Sequence, residues 1–445
     1  MREATISGLT IGRSRALAVP VVAAALLSVC ACSVGTPPKV IKIGVDLPLA
    51  GADGRAGMPV LNGAQFYFDR NPTVDGFTIQ LVTRDDTVDG TDDPSQGAGN
   101  LKALAADPLV LGVIGPFDSR VARKTIPIAN SAHLAMVSPT VSSPCLTKEP
   151  YLPAGLSPSR TAVSCTAVGF PTPAQLRPAG TNNFFRLATT DDLQGPAAAD
   201  FTYENLQLRR MAVISDHEAY GQALAAGFTT RFENDGGSVV AIVDFDPNRS
   251  TDLKAFLRAA KADGAQAIYF GGVTRNHGCV IRAQMASVFT VGEPVPYIGG
   301  DGIAQDPDCV RHAGANAVGI YATVPAAIPD TIASAQPVIT AFKARHHSAA
   351  DFGAYTIAAY DSAGVLYAAI DSAIKAGGGK PPTRDAVVAQ LAATSAFAGA
   401  TGTFGFDVSG DTTNRLVTVF ESRSADPSLP WAFIIAVDYS AALPY

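Results

Sequence analysis

From residue 40 onward, short apolar runs alternate with stretches whose apolar residues recur every three or four positions. "VIKIGVDLPL" (40–49), "FTIQLVTRDD" (77–86), "LVLGVIG" (109–115) and "LAMVS" (134–138) read as strands. Between them, "PVLNGAQFYFDRN" (59–71), with Leu61, Ala64 and Phe68 on one face, "SQGAGNLKALAAD" (95–107) and "SRVARKTIPIANSA" (119–132) predict helices. This order predicts a parallel sheet covered by helices on both faces. The Pro- and Ser-rich segment 145–182 interrupts the pattern, and a second series follows. Its strands are "RMAVIS" (210–215), "SVVAIVDF" (238–245), "AIYFGG" (267–272), "PYIGGDG" (296–302) and "GIYATVP" (319–325). Its helices span 219–233, with Leu224, Phe228 and Phe232 on one face, 251–264, capped by Ser250 or Thr251, and 352–377. The expected fold class is α/β: two similar units, with later segments returning across both.

The length of 445 residues, 47% of them hydrophobic, suits two medium cores. The formal charge of −6 is mild and the Lys and Arg are dispersed, so the electrostatic footprint of a nucleic-acid binder is missing. The N-terminus differs from the rest. Arg2, Arg13 and Arg15 precede the apolar run "ALAVPVVAAALLSV" (16–29), and small residues follow. That pattern predicts a secretory signal over 1–31, the run being short for a spanning helix; a permanent N-terminal anchor is the other reading. "SVCACS" (28–33) resembles a bacterial lipobox. Cys32 fits the lipidated position, with Val29 and Ala31 before it. Cys30 fits less well, because Val29 is bulky beside the cleavage point. Residues 32–39 would then be a tether. Four cysteines remain, and an even count in an exported chain predicts disulfides. Pairing neighbours in sequence joins Cys145 to Cys165 and Cys279 to Cys309.

No G-x-S-x-G, P-loop or H-E-x-x-H occurs, and "GADGRAG" (51–57) lacks the dinucleotide-binding glycine spacing. No catalytic constellation, cofactor or metal is expected. In open α/β sheets, ligands sit at the carboxyl ends of strands. Read in order, those ends carry "LPLAGADGRAG", "GPFDSR" and "SPTVSSP" in the first unit, then "SDHEAYG", "GGVTRNHG" and "GGDG" in the second. Hydroxyls gather on one side, an acid and a tyrosine on the other.

These segments, together with "TRDD", "FFRLATTDDLQG", "YGQALAAGF" and "GTFGFDVSGDTTN", resemble type I periplasmic binding proteins in motif and order over nearly all of residues 40–425. The closest group is the leucine/isoleucine/valine-binding, amino-acid-receptor-like branch that serves ABC importers. The resemblance implies two Rossmann-like lobes joined by three hinge crossovers: lobe 1 over 40–187 and 325–398, lobe 2 over 188–324 and 399–445. It implies no enzyme, but a monomeric, lipid-anchored protein on the outer face of the cell membrane. There it would pass a captured amino acid or related amide to an ABC permease. A sensor lipoprotein of the same fold is the alternative.

Carried over by position, Ser119 begins a helix and suits a ligand carboxylate. Thr140 matches a backbone contact, and Ser142 a hydroxyl shared by carboxylate and ammonium. Asp191 and Tyr220 match pocket-lining positions, and Asp301 the acid that pairs with the ammonium. On their own, Ser119 reads as a helix cap, Ser142 and Asp301 as turn residues, and Tyr220 as a core aromatic. The chain departs from the family at the far end of the pocket. Ala56, flanked by Arg55 and Asp53, stands where aromatics are common, and so do Thr274, Arg275 and Asn276. An apolar ligand would leave such groups unpaired, at about 1–3 kcal/mol each, so a polar or larger ligand is expected. The loop 145–165 would reshape the entrance.

Overall fold

The computed structural model describes residues 39–149, 164–289, 295–327 and 331–440. The expected signal, the lipobox and all but the last residue of the tether lie outside them, as does most of the loop between Cys145 and Cys165.

The described residues build two large sheets and two two-stranded ones, which pair Thr87–Val88 with Thr91–Asp92 and Phe397–Gly399 with Gly402–Phe404. The first series runs β1 (Val40–Leu47), α1 (Gly51–Arg70), β2 (Thr73–Val74), β3 (Phe77–Asp85), β4 (Thr87–Val88), β5 (Thr91–Asp92), α2 (Pro94–Ala106), β6 (Val110–Ile114), α3 (Ser119–Ser131), β7 (Ala135–Ser138) and β8 (Phe184–Arg186). Its sheet has the order β2-β3-β1-β6-β7-β8, parallel except for the β2–β3 pair. All five residues of β6 are buried, as expected of a strand covered on both faces.

The second series runs α4 (Asp191–Asp200), β9 (Arg210–Ser215), α5 (Ala219–Asn234), β10 (Ser238–Asp244), α6 (Lys254–Ala262), β11 (Ala267–Gly271), α7 (Gly278–Met285), β12 (Tyr297–Gly299), α8 (Pro307–Ala313) and β13 (Ile320–Val324). Leu224, Phe228 and Phe232 are fully buried on one face of α5. The chain then returns through α9 (Gln336–Arg345), α10 (Thr356–Ala376), α11 (Arg384–Ala392), the hairpin β14 (Phe397–Gly399) and β15 (Gly402–Phe404), and ends in β16 (Leu416–Ser422) and β17 (Ala432–Asp438). Helix α10 packs on α1 and on the first sheet, whereas β16 adds antiparallel to β13 and β17 antiparallel to β16. The second sheet therefore has the order β10-β9-β11-β12-β13-β16-β17.

The chain thus passes between the sheets three times. The passages are stitched together: the Thr189 amide donates to Pro325 O at 2.7 Å, and its hydroxyl donates to Leu416 O at 2.8 Å. Both disulfides form with the pairing that sequence proximity suggested, Cys145–Cys165 and Cys279–Cys309, the second tying α7 to α8.

Helix α1 corrects an expectation, since it begins at Gly51 instead of residue 59 and carries Pro59 inside it. Its glycines are there for contact. A Cβ on Gly57 would collide with the Pro48 carbonyl and one on Gly54 with the backbone of Leu49, so glycine lets this helix lie against the end of β1. Helix α6 starts later than expected, and neither Ser250 nor Thr251 caps it; the Asp252 carboxylate accepts from the Lys254 amide at 2.9 Å.

Candidate functional site

The carboxyl ends of β6 and β7 face the start of α4 and the end of β12, one pair from each sheet. On the first side, Ser119 opens α3 after the cap residue Asp118, whose carboxylate accepts from the Arg120 amide at 2.6 Å. The Ser119 hydroxyl accepts from the Ser143 amide at 3.4 Å, which joins this helix start to the loop after β7. That loop is folded on its own hydroxyls. Ser138 Oγ donates to Pro116 O at 2.8 Å and accepts from the amides of Thr140 and Val141, a turn role. Thr140 Oγ1 donates to Phe117 O at 2.7 Å. Thr140 and Ser142 are both buried.

Arg186, fully buried at the end of β8, holds the same loop from beneath. It donates to the carbonyls of Val141 and Ser143, to Thr147 and, at 2.7 Å, to Asp411. Lys148 continues the network to Asp192 at 3.1 Å and Thr190 at 3.2 Å, on the start of α4.

On the second side, Asp301 is heavily hydrogen-bonded. It accepts from Tyr220 Oη at 2.6 Å, Gln194 Nε2 at 2.9 Å and Tyr355 Oη at 2.6 Å. Tyr355 stands just before α10, a helix packed on the first sheet, so this last bond crosses the cleft. Burial and the neighbouring Asp301 charge push both tyrosine hydroxyls far up, which keeps them as neutral donors. Asp191, the first residue of α4, donates its amide to Ser142 O at 3.0 Å across the cleft. Its carboxyl is the exception: it is only 2% exposed and neither oxygen has a hydrogen-bond partner. Burial first and Asp301 second raise its pKa to about 8, against the pull of the Ser142 hydroxyl and Arg186.

The six residues expected to contact ligand therefore come together around one cleft. The four expected further out separate. Thr274 is buried, its amide and hydroxyl both on Gly302 O, one residue from Asp301. Arg275 reaches across to Asp53 at 3.7 Å and Asp92 at 3.5 Å, and to Glu218 at 3.3 Å. Arg55 pairs with Asp308. Ala56 lies on the exposed side of α1. Sequence reasoning passed over Gln194, although "TTDDLQG" contains it, and Tyr355, which it placed inside a longer helix. Among the described residues, no group of three or more His, Cys, Asp or Glu is arranged to hold a metal, and no helix is long and apolar enough to cross a membrane.

Residues 40–426 match the family described as periplasmic binding protein. The chain is 26% identical over 383 residues to the Leu/Ile/Val-binding protein BraC3 of Rhizobium johnstonii, covering 86% of this chain and 91% of that one. It is 28% identical over 266 residues to the leucine-, isoleucine-, valine-, threonine- and alanine-binding protein of Pseudomonas aeruginosa, covering 60% and 64%. Among solved structures, the leucine-binding protein of Thermotoga maritima superposes with a TM-score of 0.71 at 24% identity, covering 89% of this chain and 99% of that one. A sheet pair crossed three times, a cleft at the strand ends and a family match over most of its length lead to one conclusion: this chain belongs to the type I periplasmic binding proteins of the leucine/isoleucine/valine-binding family, a family of solute binders and not of enzymes.

Proposed function

We propose that the chain is the extracytoplasmic solute-binding protein of an ABC importer, which captures an amino acid or a related amide between its two lobes. The Asp191 carboxyl carries this reading: buried, without a partner, and set between Ser142 of one side and Asp301 of the other. An ammonium there gains charge-assisted hydrogen bonds from two acids, about twice the strength of neutral ones. Ser119 and the Thr140–Ser142 loop then take the ligand carboxylate at a helix start, Tyr220 closes the pocket, and Thr274 and Arg275 form its far end, with Arg55 and Ala56 outside it. The names of the relatives, amino-acid binders of several kinds, support the ligand class.

Closure follows from binding energy shared between lobes 40–187 with 325–398 and 188–324 with 399–445, moving about Thr189 and its two partners. Cys32 carries the lipid that holds the monomer at the membrane beside its permease. A thermal-shift screen of the purified chain against amino acids and amides tests the reading, because a ligand of the folded state raises the melting temperature. A shift with at least one amino acid, lost in Asp301→Ala, is expected; no shift with any of them overturns it. Release of a Cys32→Ser variant into the medium tests the anchor.

A further inference from the structure

Three of the segments at the cleft carry a charge within two residues of the side chain placed there. Arg120 follows Ser119, Glu218 precedes Tyr220, and Arg275 follows Thr274. With Asp53, Asp92 and Asp118 they form one belt across the cleft. Arg120 Nη2 lies 3.0 Å from both carboxylate oxygens of Asp92, its Nε 3.3 Å from Asp118 and its Nη1 3.9 Å from Glu218. Arg275 contacts Asp53, Asp92 and Glu218.

Two guanidiniums thus face four carboxylates, Asp53, Asp92, Asp118 and Glu218, so the belt is short of positive charge. Two further carboxylates stand behind it. Asp86 is fully buried with no hydrogen-bond partner on either oxygen, and Asp46 is 2% exposed with its Oδ2 unpartnered. The Asp93 amide donates to the Asp86 carbonyl at 2.8 Å, which ties Asp86 to the strand end that carries Asp92 of the belt. Burial, then Asp46, Asp92, Asp118 and Asp85, hold Asp86 at about 9; burial and Asp85 hold Asp46 at about 7 against its Asn100 hydrogen bond; Asp92, buried and beside Asp118, stands at about 8. Carboxyls held this high are short of a cation.

Resting on the amino-acid reading above, we propose that the belt selects a ligand whose side chain ends in a positive charge, an amino acid with a terminal ammonium or guanidinium. The head group sits at Ser119, Ser142 and Asp301, and the side chain extends toward Asp53, Asp92 and Glu218. Arg275 moves aside or shares these acids. An acidic side chain meets the same surplus of carboxylates and is rejected. A branched aliphatic one leaves the belt's charges unrelieved.

The test is calorimetric titration of the purified full-length chain with L-arginine and L-citrulline, which have nearly the same shape but differ in charge, and with L-lysine and L-norleucine. Arginine and lysine are expected to bind at least roughly tenfold more tightly than their neutral counterparts, a difference of about 1.4 kcal/mol. Asp92→Asn lowers the arginine-to-citrulline ratio at least about threefold, by loss of one charged partner. Glu218→Gln, at a more exposed position, does the same and serves where Asp92→Asn fails to fold. Equal affinities for arginine and citrulline, or preference for norleucine or glutamate, overturn the charge inference and leave the amino-acid reading standing. Failure of every amino acid to bind overturns both.

Discussion

Asp191 and Asp192 are neighbours on the first turn of one helix and equally buried, yet one oxygen of Asp192 meets a cation and neither oxygen of Asp191 has a hydrogen-bond partner. Asp192 belongs to a matched network in which Lys148 and Arg186 face Asp192 and Asp411. Burial works against the Asp411 charge, but Arg186, Lys148 and Thr147 outweigh it and hold the carboxyl below its ordinary range. The same acids hold Lys148 above its usual range against burial. Asp191, turned to the cleft, has no ion-pair partner and no hydrogen-bond partner on either oxygen, and burial and Asp301 raise it to about 8 against the weaker pull of Ser142 and Arg186. Equal numbers of opposite charges make scaffolding. Under the proposed function, the Asp191 carboxyl, left without a partner in an equally dry place, is where the ligand contributes the missing charge.

The largest effect expected is from breaking the matched side. Arg186→Met leaves Asp411 buried beside one remaining cation and unties the Val141 and Ser143 carbonyls. Removing one partner of a buried pair costs about 3–5 kcal/mol, which urea unfolding reads as a lower midpoint at unchanged slope. A loss under about 1 kcal/mol means that this network is not scaffolding, and the contrast with Asp191 fails.

Next in size is Tyr355→Phe, which removes the hydrogen bond from the first side to Asp301. Bonds to a charged group contribute about 1.5–3 kcal/mol, so ligand affinity drops roughly tenfold or more in calorimetry. The melting temperature of the unliganded protein shifts in the same direction.

Much of this was legible in the chain. Strands such as "LVLGVIG" are uniformly apolar because both faces are covered, and their carboxyl ends pointed to the loops that hold Ser119, Thr140, Ser142 and Asp301, residues singled out only by the family resemblance. The start of α1 was not legible, because Gly54, Gly57 and Pro59 look like a loop until the backbone of Pro48 and Leu49 is seen to press on the helix. Tyr355 and Asp301 are 54 residues apart, and Arg186 and Asp411 are 225 apart. No local pattern joins such residues; only the crossing of the chain between sheets does. The belt is illegible in the sequence for the same reason: nothing in "GGVTRNHG" signals the acids, Asp53 and Asp92, that the other sheet brings to Arg275.

Asp191→Asn tests the unmatched side, with a sign opposite to Arg186→Met. Folded Asp191 keeps its proton up to about 8, whereas the unfolded chain loses it near 3.8. Between these values the folded state binds the extra proton, so stability falls as pH rises through the window. The amide cannot ionise. The variant therefore matches the parent near the bottom of the window and is more stable near the top, on the order of 1–2 kcal/mol after allowing for its own unsatisfied amide. Parallel pH profiles of the melting temperature for the two proteins would show that Asp191 is already compensated.

The smallest effect separates burial from position. Arg55, like Tyr355, bridges the cleft, but its side chain is 47% exposed and its partner Asp308 also pairs with Arg311. Exposed pairs contribute about 0–1 kcal/mol and are screened by salt. Arg55→Gln also leaves Asp308 a cation. Ligand affinity is therefore expected to change less than about threefold at physiological salt, and less still at high salt. A loss as large as that of Tyr355→Phe would mean that any bond across the cleft counts equally. Burial and charge balance would then not be what separates Asp191, Asp301 and the belt from the rest of the surface.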